Sequence, residues 1–217
     1  FVGMGSIKRK VREVVASLES ERKAIAATGR DRLLLDFHIL LTGNPGTGKT
    51  TVARKLGDVF YAMGVLPSPK VHEIGPDNVK GTYVGQAGEL MNRAVDMAMG
   101  GVLFLDEAYG LARDQFGEEA AETLMRRMEN DKGKFLVIAA GYKEEMEGDF
   151  LRLNSGFPRR FNMPLHIEDY TPDELTEIFR RQVDGSGYQL GEGALERAHE
   201  AFKQMYIARA KGFGNAA

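Results

Sequence analysis

One stretch restricts the fold of this chain more than any other. It is Phe37-His38-Ile39-Leu40-Leu41-Thr42-Gly43-Asn44-Pro45-Gly46-Thr47-Gly48-Lys49-Thr50. An apolar run short enough for a buried strand enters G-x-x-x-x-G-K-T. A helical pattern follows, with Val52, Leu56, Val59, Phe60 and Met63 at spacings of three and four. Strand, glycine-rich turn and helix together make this motif a phosphate cradle. Gly43, Gly46 and Gly48 let the backbone wrap an anion with its N–H groups inward, where a Cβ would intrude. The N-terminus of the new helix favours negative charge. The segment Gly43, Asn44, Pro45, Gly46, Thr47, Gly48, Lys49, Thr50 and Thr51 is therefore the expected nucleotide-binding turn. Lys49 reaches the β- and γ-phosphates and the Thr50 hydroxyl ligates Mg²⁺.

The second strong signal is Gly101-Val102-Leu103-Phe104-Leu105-Asp106-Glu107. Apolar residues running into two carboxylates predict a buried parallel strand that ends at the C-terminal edge of a sheet, where α/β folds place ligands. Asp106 is expected to hold Mg²⁺ through water, and Glu107 to orient and deprotonate an attacking water. Val71–Gly75, Phe135–Ala140 and Asn162–Ile167 read as further strands. With the two already named they predict a parallel five-stranded sheet. Helices are expected over 6–20, after Gly85 with Leu90, Ala94, Met97 and Ala98 inward, and over 116–131. The acidic face Glu118, Glu119, Glu122 of the last is expected to be solvated. Residues 21–36 read as a helix end and loop, and 143–153 as a short charged helix.

Thr171-Pro172-Asp173-Glu174 is a helix start, with Thr at the N-cap, Pro at N1 and Glu at N3. Its helix carries Leu175, Ile178, Phe179 and Val183, and a last helix carries Leu195, Ala198, Phe202 and Met205. The pattern changes from strand–helix to helix only near 170, so a boundary is placed there. Residues 1–170 form the nucleotide domain and 171–217 a small helical subdomain.

Several residues keep two readings. Phe1, Val2 and Gly3, just ahead of the first helix, either touch a nucleotide base or simply pack. Tyr83 and Val84, apolar residues between glycines, are either tucked under their loop or functional. Arg159 and Arg160, before Phe161, pair with surface acids on the residues alone. His38, His72, His166 and His199 stand at no ligand spacing. The formal net charge of −2 gives no basic field for nucleic acid. The absence of cysteine excludes disulfides and thiol chemistry, and weakly favours an intracellular, cytoplasmic location. No apolar run suffices to cross a bilayer. The opening Phe-Val-Gly-Met-Gly has neither an initiator Met nor a signal-peptide pattern.

The order of elements resembles the AAA+ ATPases. More narrowly it is similar to the CbbX/CfxQ group, which includes SpoVK and the EccA ATPases of type VII secretion. The residues that carry the likeness are Gly43–Ala53, Tyr83–Gln86, Gly100–Tyr109, Ala140-Gly141-Tyr142 and Gly212–Ala216. The resemblance implies a P-loop αβα sandwich followed by an α-helical lid, ATP or ADP with Mg²⁺ at the lip between them, and assembly into a ring, a hexamer in this family. It implies that Tyr83 and Val84 project into the pore and grip a protein client. It implies that Arg160 is the finger that reaches the neighbouring subunit's γ-phosphate, with Arg159 the runner-up. Removing such a finger typically costs about 10³–10⁵ in turnover.

Departures are visible too. Where most of the family places Asn or Thr after the fourth strand to position the water, this chain has Tyr142. The family's lid arginine follows Phe-Gly-Asn, and here the chain ends at Ala217, so the lid is expected to be partly truncated and hydrolysis slow. A kinase is disfavoured by Glu107, since water activation would waste ATP. A nucleic-acid motor is disfavoured by the lack of a second motor domain and of a basic, aromatic channel. A nucleotide-binding scaffold within a longer tandem chain is the alternative.

Overall fold

The computed structural model describes residues 2–28, 37–81, 83, 85–208 and 214–216. Five parallel strands form one sheet: β1 Ile39–Gly43, β2 Val71–Ile74, β3 Val102–Leu105, β4 Leu136–Gly141 and β5 Met163–Ile167. Their spatial order is β2-β3-β4-β1-β5. β1 lies between β4, with Ile39 opposite Ile138, and β5, with Ile39 opposite Met163.

The three inner strands are buried throughout, as expected where helices cover both faces. Edge strand β5 instead alternates buried Met163, Leu165 and Ile167 with exposed Pro164 and His166. Pro164 is tolerated there because an edge strand leaves one row of backbone donors unused.

Alternation along the strands divides the core in two. Ile39, Leu41, Val102, Phe104, Ile138 and Ala140 pack with α1 (Gly5–Thr28) and α2 (Lys49–Ala62). Leu40, Leu103, Leu105, Val137 and Ala139 face α3 (Gln86–Ala98) and α4 (Gln115–Asn130) on the other side. The architecture is the expected αβα sandwich. A buried ring cluster of Phe150, Phe157 and Phe161, with centroids 5.0–5.4 Å apart, follows α5 (Lys143–Gly148) and fixes α6 (Phe157–Arg160). The helical subdomain comprises α7 (Pro172–Gly185) and α8 (Ala194–Ile207). The Thr171 hydroxyl accepts the Glu174 N–H and the Glu174 carboxylate accepts the Thr171 N–H, the reciprocal cap read from the sequence.

Several expectations are corrected. The first helix continues through Thr28, so 21–28 are helical, and 29–36 lie outside the described residues. Met97 is not inward but 54% exposed; Met91 and Val95 fill that face. The helical period fits either pair, and the packing of α3 on α4 makes the choice. Met205 is likewise half exposed. Arg159 and Arg160 stand in a short helix, to which the sequence reading assigns no element, and 143–153 divide into α5 and a 3-10 turn over Phe150–Arg152.

Candidate nucleotide site

The site grows from the ends of β1 and β3. Gly43 closes β1 where there is no room for a side chain. A Cβ there would stand 2.9 Å from the Ile167 carbonyl oxygen and 3.0 Å from the Thr47 hydroxyl. Gly46 and Gly48 have φ of 66° and 88°, the left-handed region that favours glycine. Inside the turn, Thr47 is fully buried and its hydroxyl donates to the Asn44 carbonyl at 2.8 Å. Lys49 opens α2. Its ammonium donates to the carbonyls of Gly43 (3.0 Å) and Asn44 (3.1 Å) and lies 5.6 Å from the centre of the Tyr142 ring.

Pro45, Gly46, Gly48, Lys49, Thr50 and Thr51 form one wall of a cleft of about 320 Å³. Asp106, Glu107, Tyr109, Gly141 and Tyr142 form the other. The structure thus brings the predicted cradle, both carboxylates and Tyr142 to one opening, at the C-terminal edge of the sheet. Tyr109 and Tyr142 stack beneath it, 5.7 Å apart and 28° from parallel.

Electrostatics follow from partial burial. Burial pulls the Lys49 ammonium below its ordinary pKa, while Asp106 and Glu107 oppose that shift. Burial pushes the Asp106 carboxyl up, against the Glu107 N–H, which donates to Asp106 Oδ1 at 3.0 Å, and against Lys49. The Tyr109 phenol is pushed up to about 12, by burial first and the Glu107 carboxylate second, so it stays protonated. Glu107 has φ 48° and ψ 41°, a left-handed conformation unusual for a side chain of its size. Such backbone strain concentrates at functional sites.

The pocket suits a polyphosphate with a hard cation. The turn is a cradle that a Cβ at Gly43 would fill, and Thr50 and Asp106 supply oxygen donors from opposite walls. Among the described residues no three His, Cys, Asp or Glu side chains gather to cage a metal.

Other predicted residues lie elsewhere. Tyr83 is 63% exposed, in the segment before α3, so it is not tucked under its loop. Val84 and Phe1 lie outside the described residues. Val2 is half-buried, and Gly3, with φ 64°, rests against the Glu174 carboxylate of α7. Arg160 pairs with Glu129 and its side chain is only 11% exposed, while Arg159 is exposed. The Arg160 carbonyl accepts the His38 N–H at 3.0 Å. That fixes α6 at the N-terminal end of β1, the opposite sheet edge from the turn.

Two residues to which the sequence reading gave no site role hold the turn and the start of α3. Asn215, left-handed at φ 47° and 8% exposed, donates to the Pro45 carbonyl (3.2 Å) and Asp169 (2.9 Å) and accepts the Tyr170 N–H (2.9 Å). Asn44 also donates to Asp169, at 2.8 Å, so one carboxylate joins the turn to the chain's end. Glu119 is only partly exposed, and its carboxylate is engaged rather than free in solvent. Its two oxygens accept the N–H groups of Gly88 (2.9 Å) and Gly85 (3.1 Å). The legible hint was a pair of glycines at the N-cap and N3 positions of a helix, which leaves that end with no side chain of its own to cap it.

A Walker-type turn, an Asp-Glu strand end and a 5-1-4-3-2 parallel sheet define a P-loop nucleotide-binding ATPase fold. Residues 39–165 match the ATPase family associated with various cellular activities (AAA), and residues 171–217 match the AAA lid domain. The chain belongs to the AAA family.

Within that family it is 39% identical to stage V sporulation protein K of Bacillus subtilis strain 168, over 89% of this chain and 61% of that protein. It is 36% identical to protein CbbX of Cereibacter sphaeroides, over 100% of this chain and 72% of the relative. The chain therefore spans about three fifths of the first of these relatives. The crystal structure of the FIGL-1 AAA domain in complex with ADP superposes with a TM-score of 0.62 at 23% identity, over 92% of this chain and 64% of that one. That likeness concerns the fold alone. Among the described residues no helix is long and apolar enough to cross a membrane.

Proposed function

We propose that this chain is an ATP-hydrolysing module that binds ATP and ADP with Mg²⁺ in the cleft, works as a homo-oligomeric ring, and remodels a protein client inside the cell. The observation that carries the proposal is the convergence of Lys49, Thr50, Asp106 and Glu107 on one opening lined by glycine backbone. The chemistry then follows from charge and reach. Gly43–Thr51 wrap the phosphates, and the Lys49 ammonium exchanges the carbonyls of Gly43 and Asn44 for phosphate oxygen. Thr50 and, through water, Asp106 would hold the cation, which would supply positive charge beside the transferred group. Glu107 orients the attacking water and takes its proton. Tyr142, just after β4 and beside Lys49, is proposed to orient that water.

Arg160 and Arg159 are proposed as the finger pair, Arg160 foremost. Their own cleft is out of reach. β1 alone separates them by five residues, about 16 Å at 3.3 Å per residue. Only a neighbouring subunit could bring them to a γ-phosphate, so turnover would depend on assembly. Arg159 is the exposed member, and Arg160 would have to leave Glu129. The exposed Tyr83, with Val84, is proposed as the client grip, with 1–170 and 171–217 as nucleotide domain and lid. Phe1, Val2 and Gly3 are proposed to border the nucleotide base, where Gly3 already lies beside the lid.

Glu107→Gln tests the proposal. It should keep ATP affinity within about threefold and lower turnover by about 10²-fold or more. Turnover at the parent rate would remove Glu107 from the role of base.

A further inference from the structure

α3 starts without a cap of its own. Its N-cap is Gly85 and its N3 residue is Gly88, the two places where a side chain would satisfy the free amides of the first turn. Glu119 does both jobs from α4, one oxygen on each amide. A Cβ at Gly88 would stand 3.0 Å from both the Glu119 Oε1 and the Thr123 hydroxyl, tighter than ordinary contact, so a side chain there would press on the Glu119 cap.

The other stem of the Tyr83 segment is held by the same element. Lys80 pairs with Asp114 at 3.1 Å. Asp114 in turn caps α4 by accepting the Gly117 N–H at 2.9 Å. Between Glu107 and Asp114 runs only a 3-10 helix, Ala108–Arg113. The Gly110 N–H donates to the Glu107 carbonyl at 2.8 Å, and Gly110 packs so closely on Pro76 that a Cβ would stand 2.6 Å from the ring. Further along, Arg127 of α4 binds Asp96 of α3 at 2.7 Å.

We propose that Glu119 is a positioning residue that couples the Tyr83 segment to the backbone downstream of Glu107. Both stems of that segment hang from the start of α4. A change in the Glu107 backbone is thereby transmitted to Tyr83 through these bonds in addition to the packing of α3 on α4. The inference rests on the nucleotide reading above, and adds to it the route between cleft and grip.

The 217 residues contain no tryptophan, so Tyr83→Trp creates a single fluorescent reporter. Emission and anisotropy are compared with Mg²⁺·ADP and with a non-hydrolysable Mg²⁺·ATP analogue, while calorimetry reads affinity separately. In the reporter protein the two nucleotides should give distinct signals. Adding Glu119→Ala should reduce that difference at least about fivefold, with affinity within about twofold of the parent.

A third protein, Glu119→Ala with Gly88→Glu, separates coupling from mere capping. The new N3 glutamate can accept the Gly85 N–H within α3, so it should restore thermal stability but not the nucleotide-dependent signal. Recovery of the signal in that protein, its persistence in Glu119→Ala, or no difference in the reporter itself would each overturn the inference. Failure of the reporter protein to bind the analogue by calorimetry would overturn the nucleotide reading as well.

Discussion

At the scale of single residues, the cleft works by opposed charges taken partly out of water. Burial raises the pKa of Asp106 and lowers that of Lys49. The carboxyl keeps its proton to a higher pH than its ordinary 3.8, and the ammonium loses its proton at a lower pH than its ordinary 10.5. Mg²⁺·nucleotide binding needs Asp106 charged for the cation and Lys49 charged for the phosphates. The expected affinity profile is therefore a bell, with the acid limb above 3.8 and the alkaline limb below 10.5. Calorimetric titration across pH checks this, and Asp106→Asn should remove the acid limb together with most of the Mg²⁺ dependence. The residues of this cleft were legible because each obeys a local rule: glycine where a Cβ cannot fit, lysine at a helix start, carboxylates at a strand end. Glu119 and Asn215 obey no local rule. Their partners lie 31–34 and 45–170 positions away, so only the fold reveals what they hold.

At the scale of elements, strands and caps were easier to read than helix faces. Continuous apolar runs identified β1, β3 and β4, because burial on both sides leaves no place for a polar residue. Helix faces depend on neighbours: Met97 and Met91 compete for the same period, and the packing of α3 on α4 decides. The cap of α7 is local and was readable in full. Thr171→Ala should cost about 1 kcal/mol, measured by urea denaturation, and the loss should be smaller in a Glu174→Gln background, where the reciprocal bond is already weakened.

At the scale of the whole molecule, polar contacts join the segment from Asp169 onward to the phosphate turn. Asn215 bridges Pro45, Asp169 and Tyr170, the Ala216 N–H donates to the Gly46 carbonyl at 3.3 Å, and the Tyr170 hydroxyl donates to the Thr47 carbonyl at 3.1 Å. Asn215→Ala leaves buried partners unsatisfied and should destabilise the protein by about 1–3 kcal/mol, with weaker nucleotide binding by calorimetry. Asn215→Asp should be worse, because it sets a second carboxylate against Asp169 and removes the donors. The strand order has a separate consequence for how such a chain is made. β1 hydrogen-bonds to β4 and β5 and to no strand between them in sequence. Loop closure must therefore span about a hundred residues before the first strand gains a partner. As the chain leaves the ribosome, Lys49 emerges before the stretch near Ile138 that gives β1 its partner. Until then a nascent chain carries the whole phosphate motif in its sequence and no pocket to put it in.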